Sequence, residues 1–238
     1  MDLATPIAAG LKIDWAQMPT YNTIMSVAAG AGLLLLVALA RRLADRGRAL
    51  GAEGWAMAFG VLGTILTLTG LHMTLTWPLA AGGFPFDNVI FGEPALAFGV
   101  LLLFAAFYLW RRADRLEEAP DRLATAGEAA GPVSVFVFGM GLAAIAIAFA
   151  GVGYELFAAP PEEPISGEFA DYPMVEAVFI SGLYALVGVG GVLFPFALKA
   201  KRWAFTLTQI CWFLAGLAFL LFGALNYFTH IGLIVNTM

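Results

Sequence analysis

Two histidines, His72 and His230, and two carboxylates, Glu93 and Glu176, fall within or at the ends of long apolar runs, and they make the sequence's case for chemistry. Ionisable groups at membrane depth are costly and count as functional candidates by default. Imidazole with carboxylate suits zinc, iron, manganese or copper(II), and Met73 or Met174 adds a soft donor nearby. His72, Glu93, Glu176 and His230 are therefore the candidate metal ligands. Each also has a structural reading. Glu93 directly precedes Pro94, as at a helix start where a carboxylate meets the positive end of the dipole. His72 has Thr69 and Thr76 on its own face, and His230 sits near the C-terminus as an interfacial residue.

The elements that must position these residues are apolar helices. Of the 238 residues, 61% are hydrophobic and only 12% charged, half the charged share of an ordinary soluble domain. Continuous apolar runs without period-two alternation predict helices long enough to cross a hydrocarbon core of about 30 Å. Six crossings are expected, over about 21–43, 54–76, 89–110, 132–156, 174–199 and 203–228, paired as three hairpins. The fold class is all-α, a polytopic integral membrane protein. Residues 1–20 read as a surface segment and 21–238 as a single transmembrane domain. Residues 1–20 lack a basic n-region and a long apolar stretch, so no cleavable signal peptide is expected.

Charge orients the six crossings. Arg41/Arg42/Arg46/Arg48, Arg111/Arg112/Arg115/Arg122 and Lys199/Lys201/Arg202 occupy three turns, and Lys12 alone lies elsewhere. Cytoplasmic loops keep Lys and Arg, so these turns are expected inside and both termini outside. The outer segments collect Asp87, Glu93, Glu155, Glu162, Glu163, Glu168, Asp171 and Glu176, and such a face attracts cations. It offers no footprint for nucleic acid. The lipid bilayer is the implied partner, with other membrane proteins or a second copy of the chain as further candidates.

Depth sorts the candidates. At about 1.5 Å per residue, His72 lies about 26 Å above Trp55, Glu93 about 27 Å above Arg111 and Asn22 about 28 Å above Arg41. Glu176 and Asn226 lie at about 35 Å and His230 at about 40 Å. His72 and Glu93 are thus expected to approach across the second and third helices. A haem held by His72 and His230 is disfavoured, because about 14 Å of depth separates them unless the sixth helix breaks near Asn226. Cys211, among Ile210, Trp212 and Phe213, reads as a buried packing thiol. Tyr21-Asn22, Asp87-Asn88 and Asp171-Tyr172 open the first, third and fifth crossings, by duplication or because Asn and Asp favour helix starts. No HExxH, phosphate loop, CxxC or nucleophile elbow is present, so no catalytic residue is assigned.

Gly70-Leu71-His72-Met73 through Trp77-Pro78-Leu79, then Asn88-Val89-Ile90-Phe91-Gly92-Glu93-Pro94, resembles an uncharacterised family of polytopic bacterial and archaeal membrane proteins. That family is a domain of unknown function, and the resemblance is sharpest over 54–110. It implies a prokaryotic plasma membrane and brings no activity with it. The expected role is an outward-facing polar site binding a transition-metal ion, in metal handling or beside a membrane redox complex. The alternatives are a channel or transporter for a small solute or cation, and a membrane-embedded metalloenzyme. Single cysteines at Ser166 and Ala126, in a Cys211→Ser background, are expected to react with an impermeant thiol reagent from opposite sides of the membrane. Labelling of both from one side overturns the orientation.

Overall fold

The computed structural model describes residues 13–18, 20–45, 47–79, 84–199 and 201–238, and no strand occurs among them. Six helices are long and apolar enough to cross a membrane: α1 (Asn22–Ala44), α2 (Ala52–Leu75), α3 (Glu93–Arg111), α6 (Ser134–Gly153), α7 (Pro173–Leu198) and α8 (Arg202–Thr237). Two short helices, α4 (Ala113–Glu118) and α5 (Arg122–Ala130), lie in the basic connection between α3 and α6. A five-residue π-helical turn, Asn88–Gly92, leads into α3. Large apolar side chains such as Leu68, Leu75, Phe104 and Phe149 are exposed on the helix flanks, where lipid meets them.

The runs expected over 21–43, 54–76, 89–110, 132–156 and 174–199 correspond to α1, α2, α3, α6 and α7, and α8 extends past the expected 203–228. α8 runs unbroken through Asn226 and His230 to Thr237, about 54 Å at helical rise. The apolar residues Ile231, Leu233, Ile234 and Val235 continue its pattern, and Gly232 does not interrupt it. Most of the expected surface segment 1–20 lies outside the described residues. Within the part described, the Trp15 indole donates to Thr237 Oγ1 at 3.2 Å and ties the stretch before α1 to the last turn of α8.

Helix pairing differs from the three hairpins expected. The closest partners are α2 with α3, α6 with α7, and α1 with α8, and α7 also packs on α8. Two of these pairs are therefore joined across the acidic end of the bundle, where α1 and α8 also start and finish. Glycine decides this. A Cβ at Gly63 of α2 would stand 2.8 Å from the Leu103 backbone nitrogen of α3, and one at Gly141 of α6 would stand 2.7 Å from that of Val192 in α7. In lipid the attraction between helices is mostly dispersion, which rewards such backbone approach. The α1–α8 seam has Gly30 and Gly223 in the same role, and Ser26 Oγ donates across it to the Phe219 carbonyl at 2.9 Å. By contrast α3 and α6 scarcely touch. The α2–α3 and α6–α7 pairs stand apart, bridged by α1 and α8.

Gly63→Val is expected to lower thermal stability in detergent by an amount equivalent to about 1–3 kcal/mol of overpacking. Gly182→Ala, on an open helix face with no atom within 4 Å of the added methyl, should be neutral or slightly stabilising. Equal losses for both would show that the glycine seams do not set the pairing.

Candidate functional site

Where α3 and α6 part, a cavity of about 510 Å³ runs down the bundle between α1, α3, α6, α7 and α8. Most of its length is apolar. Leu33 and Leu36 of α1, Leu101 and Ala105 of α3, Val137 and Met140 of α6, and Phe194 and Trp212 line it towards the basic end. The polar residues gather at the acidic end: Asn22, Asp87, Glu163, Glu176, Asn226 and His230.

Asp87 is the most constrained of them. The π-helical turn shifts the helical register by one residue, and Asn88, 3% exposed, anchors that turn by donating to the Met73 carbonyl at the end of α2. Asp87 itself is only 4% exposed, and no hydrogen-bond donor or cation pairs with its carboxylate among the described residues. Burial pushes this carboxyl up to about 7, because the charged form loses its water without gaining a partner. Tyr184 of α7 donates its hydroxyl to the Ile90 carbonyl, which clamps the same turn against the cavity wall.

Glu163 comes from the loop between α6 and α7. Ile165 there has φ 69 and ψ −63, a γ-turn closed by Ser166 N donating to the Pro164 carbonyl at 2.8 Å. A β-branched residue in that region is strained, and strain of this kind clusters at functional sites. The loop is held down by Gly167 N on the Glu163 carbonyl at 2.7 Å and by Asn236 Nδ2 on the Glu162 carbonyl at 2.7 Å. Glu163 Oε1 lies 3.8 Å from His230 Nε2 on α8, and burial raises the Glu163 carboxyl above its ordinary value. Glu176, in the first turn of α7, accepts from Ala159 N at 2.6 Å. Asn22 Oδ1 is buried with no hydrogen-bond partner among the described residues.

The four residues expected as one ligand set divide into two pairs. Glu176 and His230 line the cavity; His72 and Glu93 do not. His72 is exposed, and its Nδ1 lies 2.7 Å from the Tyr21 hydroxyl. Glu93 is exposed in the first turn of α3, and no ion pair within 4.0 Å joins it to His72. Their depths match, but rotation separates them from the seam. Met73 and Gly92 face each other across α2 and α3, and the next residue along a helix is turned by about 100°. Among the described residues, no three His, Cys, Asp or Glu side chains are grouped so as to hold a metal ion.

Asp87 and Glu163 are the site residues that sequence reasoning missed. Asp87 read as an outer helix-start residue, although the neighbouring Phe84-Pro85-Phe86 was an unusual setting for a solvated carboxylate. Glu163 lay in the run Pro160-Pro161-Glu162-Glu163-Pro164, which carries no sign of burial in its composition.

A family model described as a protein of unknown function, DUF981, matches residues 18–232. The chain belongs to that family, and the resemblance seen over 54–110 extends across the whole bundle. No curated protein and no solved structure matches it.

Between the ordinary carboxyl value of about 3.9 and about 7, the folded chain holds a proton on Asp87 that the unfolded chain has released. Folding stability therefore falls as pH rises through that window and levels off above it. Asp87→Asn cannot ionise. It is expected to raise the melting temperature clearly at pH 8, by the equivalent of up to a few kcal/mol, and little at pH 4. An equal effect at both pH values would mean that Asp87 is not held out of water.

Proposed function

We propose that this member of the DUF981 family binds a long-chain amphiphile inside its helix bundle, head at the acidic end and tail towards the basic end. One observation carries the reading: a single cavity is polar at one end and apolar along the rest of its length. Its volume of about 510 Å³ falls in the range of small-molecule sites, about 300–1,000 Å³. An ion or polar solute crossing the bundle would have to shed its water beside Leu33, Leu36, Leu101 and Met140, where hydrophobic walls dewet and oppose passage. An alkyl or isoprenoid chain gains from the same walls at about 25 cal/mol per Å² of apolar surface buried.

Glu176 and His230 then serve as head-group partners, with Asp87, Glu163, Asn22 and Asn226 beside them. This use needs no third ligand for a metal ion. With the basic turns inside, the head group sits at the outer face of a prokaryotic plasma membrane and the tail points towards the cytoplasmic leaflet. The chain contacts lipid on its flanks and draws its ligand from the bilayer or from the outer aqueous side.

Wild-type protein purified in mild detergent is expected to carry a bound amphiphile detectable by native mass spectrometry and recoverable by solvent extraction. Ala105→Trp, which places an indole in the apolar stretch, should remove most of that occupancy while leaving a cooperative thermal transition. Wild type without any retained amphiphile, or Ala105→Trp with as much as wild type, would overturn the reading.

A further inference from the structure

We infer that the amphiphile's head is an organic cation, an ammonium group seated between the Asp87 carboxylate and a cluster of aromatic rings. The inference rests on the proposed amphiphile site and adds the chemistry of its ligand.

Its first support is charge. Asp87, Glu163 and Glu176 line the acidic end of the cavity, while the described lining residues include no Lys or Arg. Asp87 is 96% buried in the sense that only 4% of its surface is exposed, it faces the cavity, and it has no partner among the described residues. A carboxylate out of water needs a countercharge or it takes up a proton. An anionic head would meet three carboxylates. A neutral head would leave Asp87 to take up a proton, whereas a cation satisfies it in the charged form.

The second support is independent of charge. Phe91, Phe157, Tyr184 and Phe219 form a continuous aromatic wall on the same cavity. Phe91 and Phe157 have centroids 6.3 Å apart, Phe157 stacks on Tyr184 at 5.9 Å and 16°, and Tyr184 meets Phe219 edge-on at 6.1 Å and 88°. The Tyr184 hydroxyl bonds the Ile90 carbonyl, three residues after Asp87, so wall and carboxylate share one turn of structure. Ring faces attract ammonium groups, most strongly where water is excluded, and aromatic walls are the known means of recognising them. A fatty or isoprenoid tail alone gives no reason to combine such a wall with a buried carboxylate. An ammonium head accounts for both.

The test uses full-length protein in lipid nanodiscs, with empty nanodiscs as the partition baseline. Equilibrium binding is measured for tetradecyltrimethylammonium, tetradecanol and tetradecyl sulfate, which share a tail and differ only in the head. The ammonium should bind about tenfold tighter than the alcohol or better, with the sulfate weakest. Asp87→Asn should bring the ammonium down to the level of the alcohol and leave the alcohol unchanged. If wild type binds the alcohol or the sulfate as well as the ammonium, the cationic head is wrong while the amphiphile site stands. Undiminished ammonium preference in Asp87→Asn also removes it. Should that variant not fold, the wild-type ranking decides alone. Binding of none of the three overturns the amphiphile site as well.

Discussion

Backbone contact at glycine seams is the constraint on which the rest of this bundle depends. Between helices in lipid there is little hydrophobic drive, because the solvent is as apolar as the side chains. What holds a pair together is close approach, and Gly63 with Gly99, Gly141 with Gly188, and Gly30 with Gly216 leave room for nothing larger than hydrogen. Because α2–α3 and α6–α7 are satisfied internally, α3 has no glycine seam with α6, and the space between the pairs stays open. The cavity is therefore a consequence of where the glycines lie.

The two ends of the bundle treat their charges differently. At the basic end a carboxylate is held by hydrogen bonds and one ion pair: Arg122 meets Glu117 at 3.0 Å and donates to the Arg48 carbonyl at 2.8 Å, and Glu117 accepts from Leu50 N at 2.9 Å. These contacts fix α4 and α5 to the connection between α1 and α2. At the acidic end, Asp87 and Glu163 are drawn out of water and their carboxyls rise. Holding a desolvated carboxylate costs stability, and the turn that carries it is fixed by Asn88 donating to the Met73 carbonyl. Ile165 adds backbone strain in the loop that carries Glu163 to the same place. Packing of Glu162 and Gly167 backbone groups against α8 and the loop itself offsets that strain.

A polarity gradient follows from these two features. The seams leave a long apolar slot, and the strained loop with the π-helical turn sets carboxylates at one end of it. Neither part alone would suggest a ligand. An apolar slot without polar groups is filled by lipid, and a set of surface carboxylates is solvated. Their combination gives orientation to anything that enters.

By itself, the sequence determined that six helices are long and apolar enough to cross a membrane, and how the charges divide between the two ends. Those properties are one-dimensional: span length follows from hydrocarbon thickness and residue rise, and the basic clusters sit beside the spans they flank. The likeness of 54–110 to a family of unknown function was legible for the same reason, since it lies in consecutive residues. The continuation of α8 past 228 was less so, because a helix leaving the bilayer keeps an apolar pattern when it packs on a loop such as 157–165. Rotation about each helix axis was decided only by the tertiary structure. Depth placed His72 beside Glu93, but the Gly92–Met73 contact turned both away from the seam, and His72 met Tyr21 instead. Glu176 and His230 faced inward, joined by Asp87 and Glu163, whose burial comes from a π-helical turn and a γ-turn. Hydropathy fixes how deep a residue lies along its helix. Which way it points depends on which neighbour the helix packs against, and that is a property of the whole bundle.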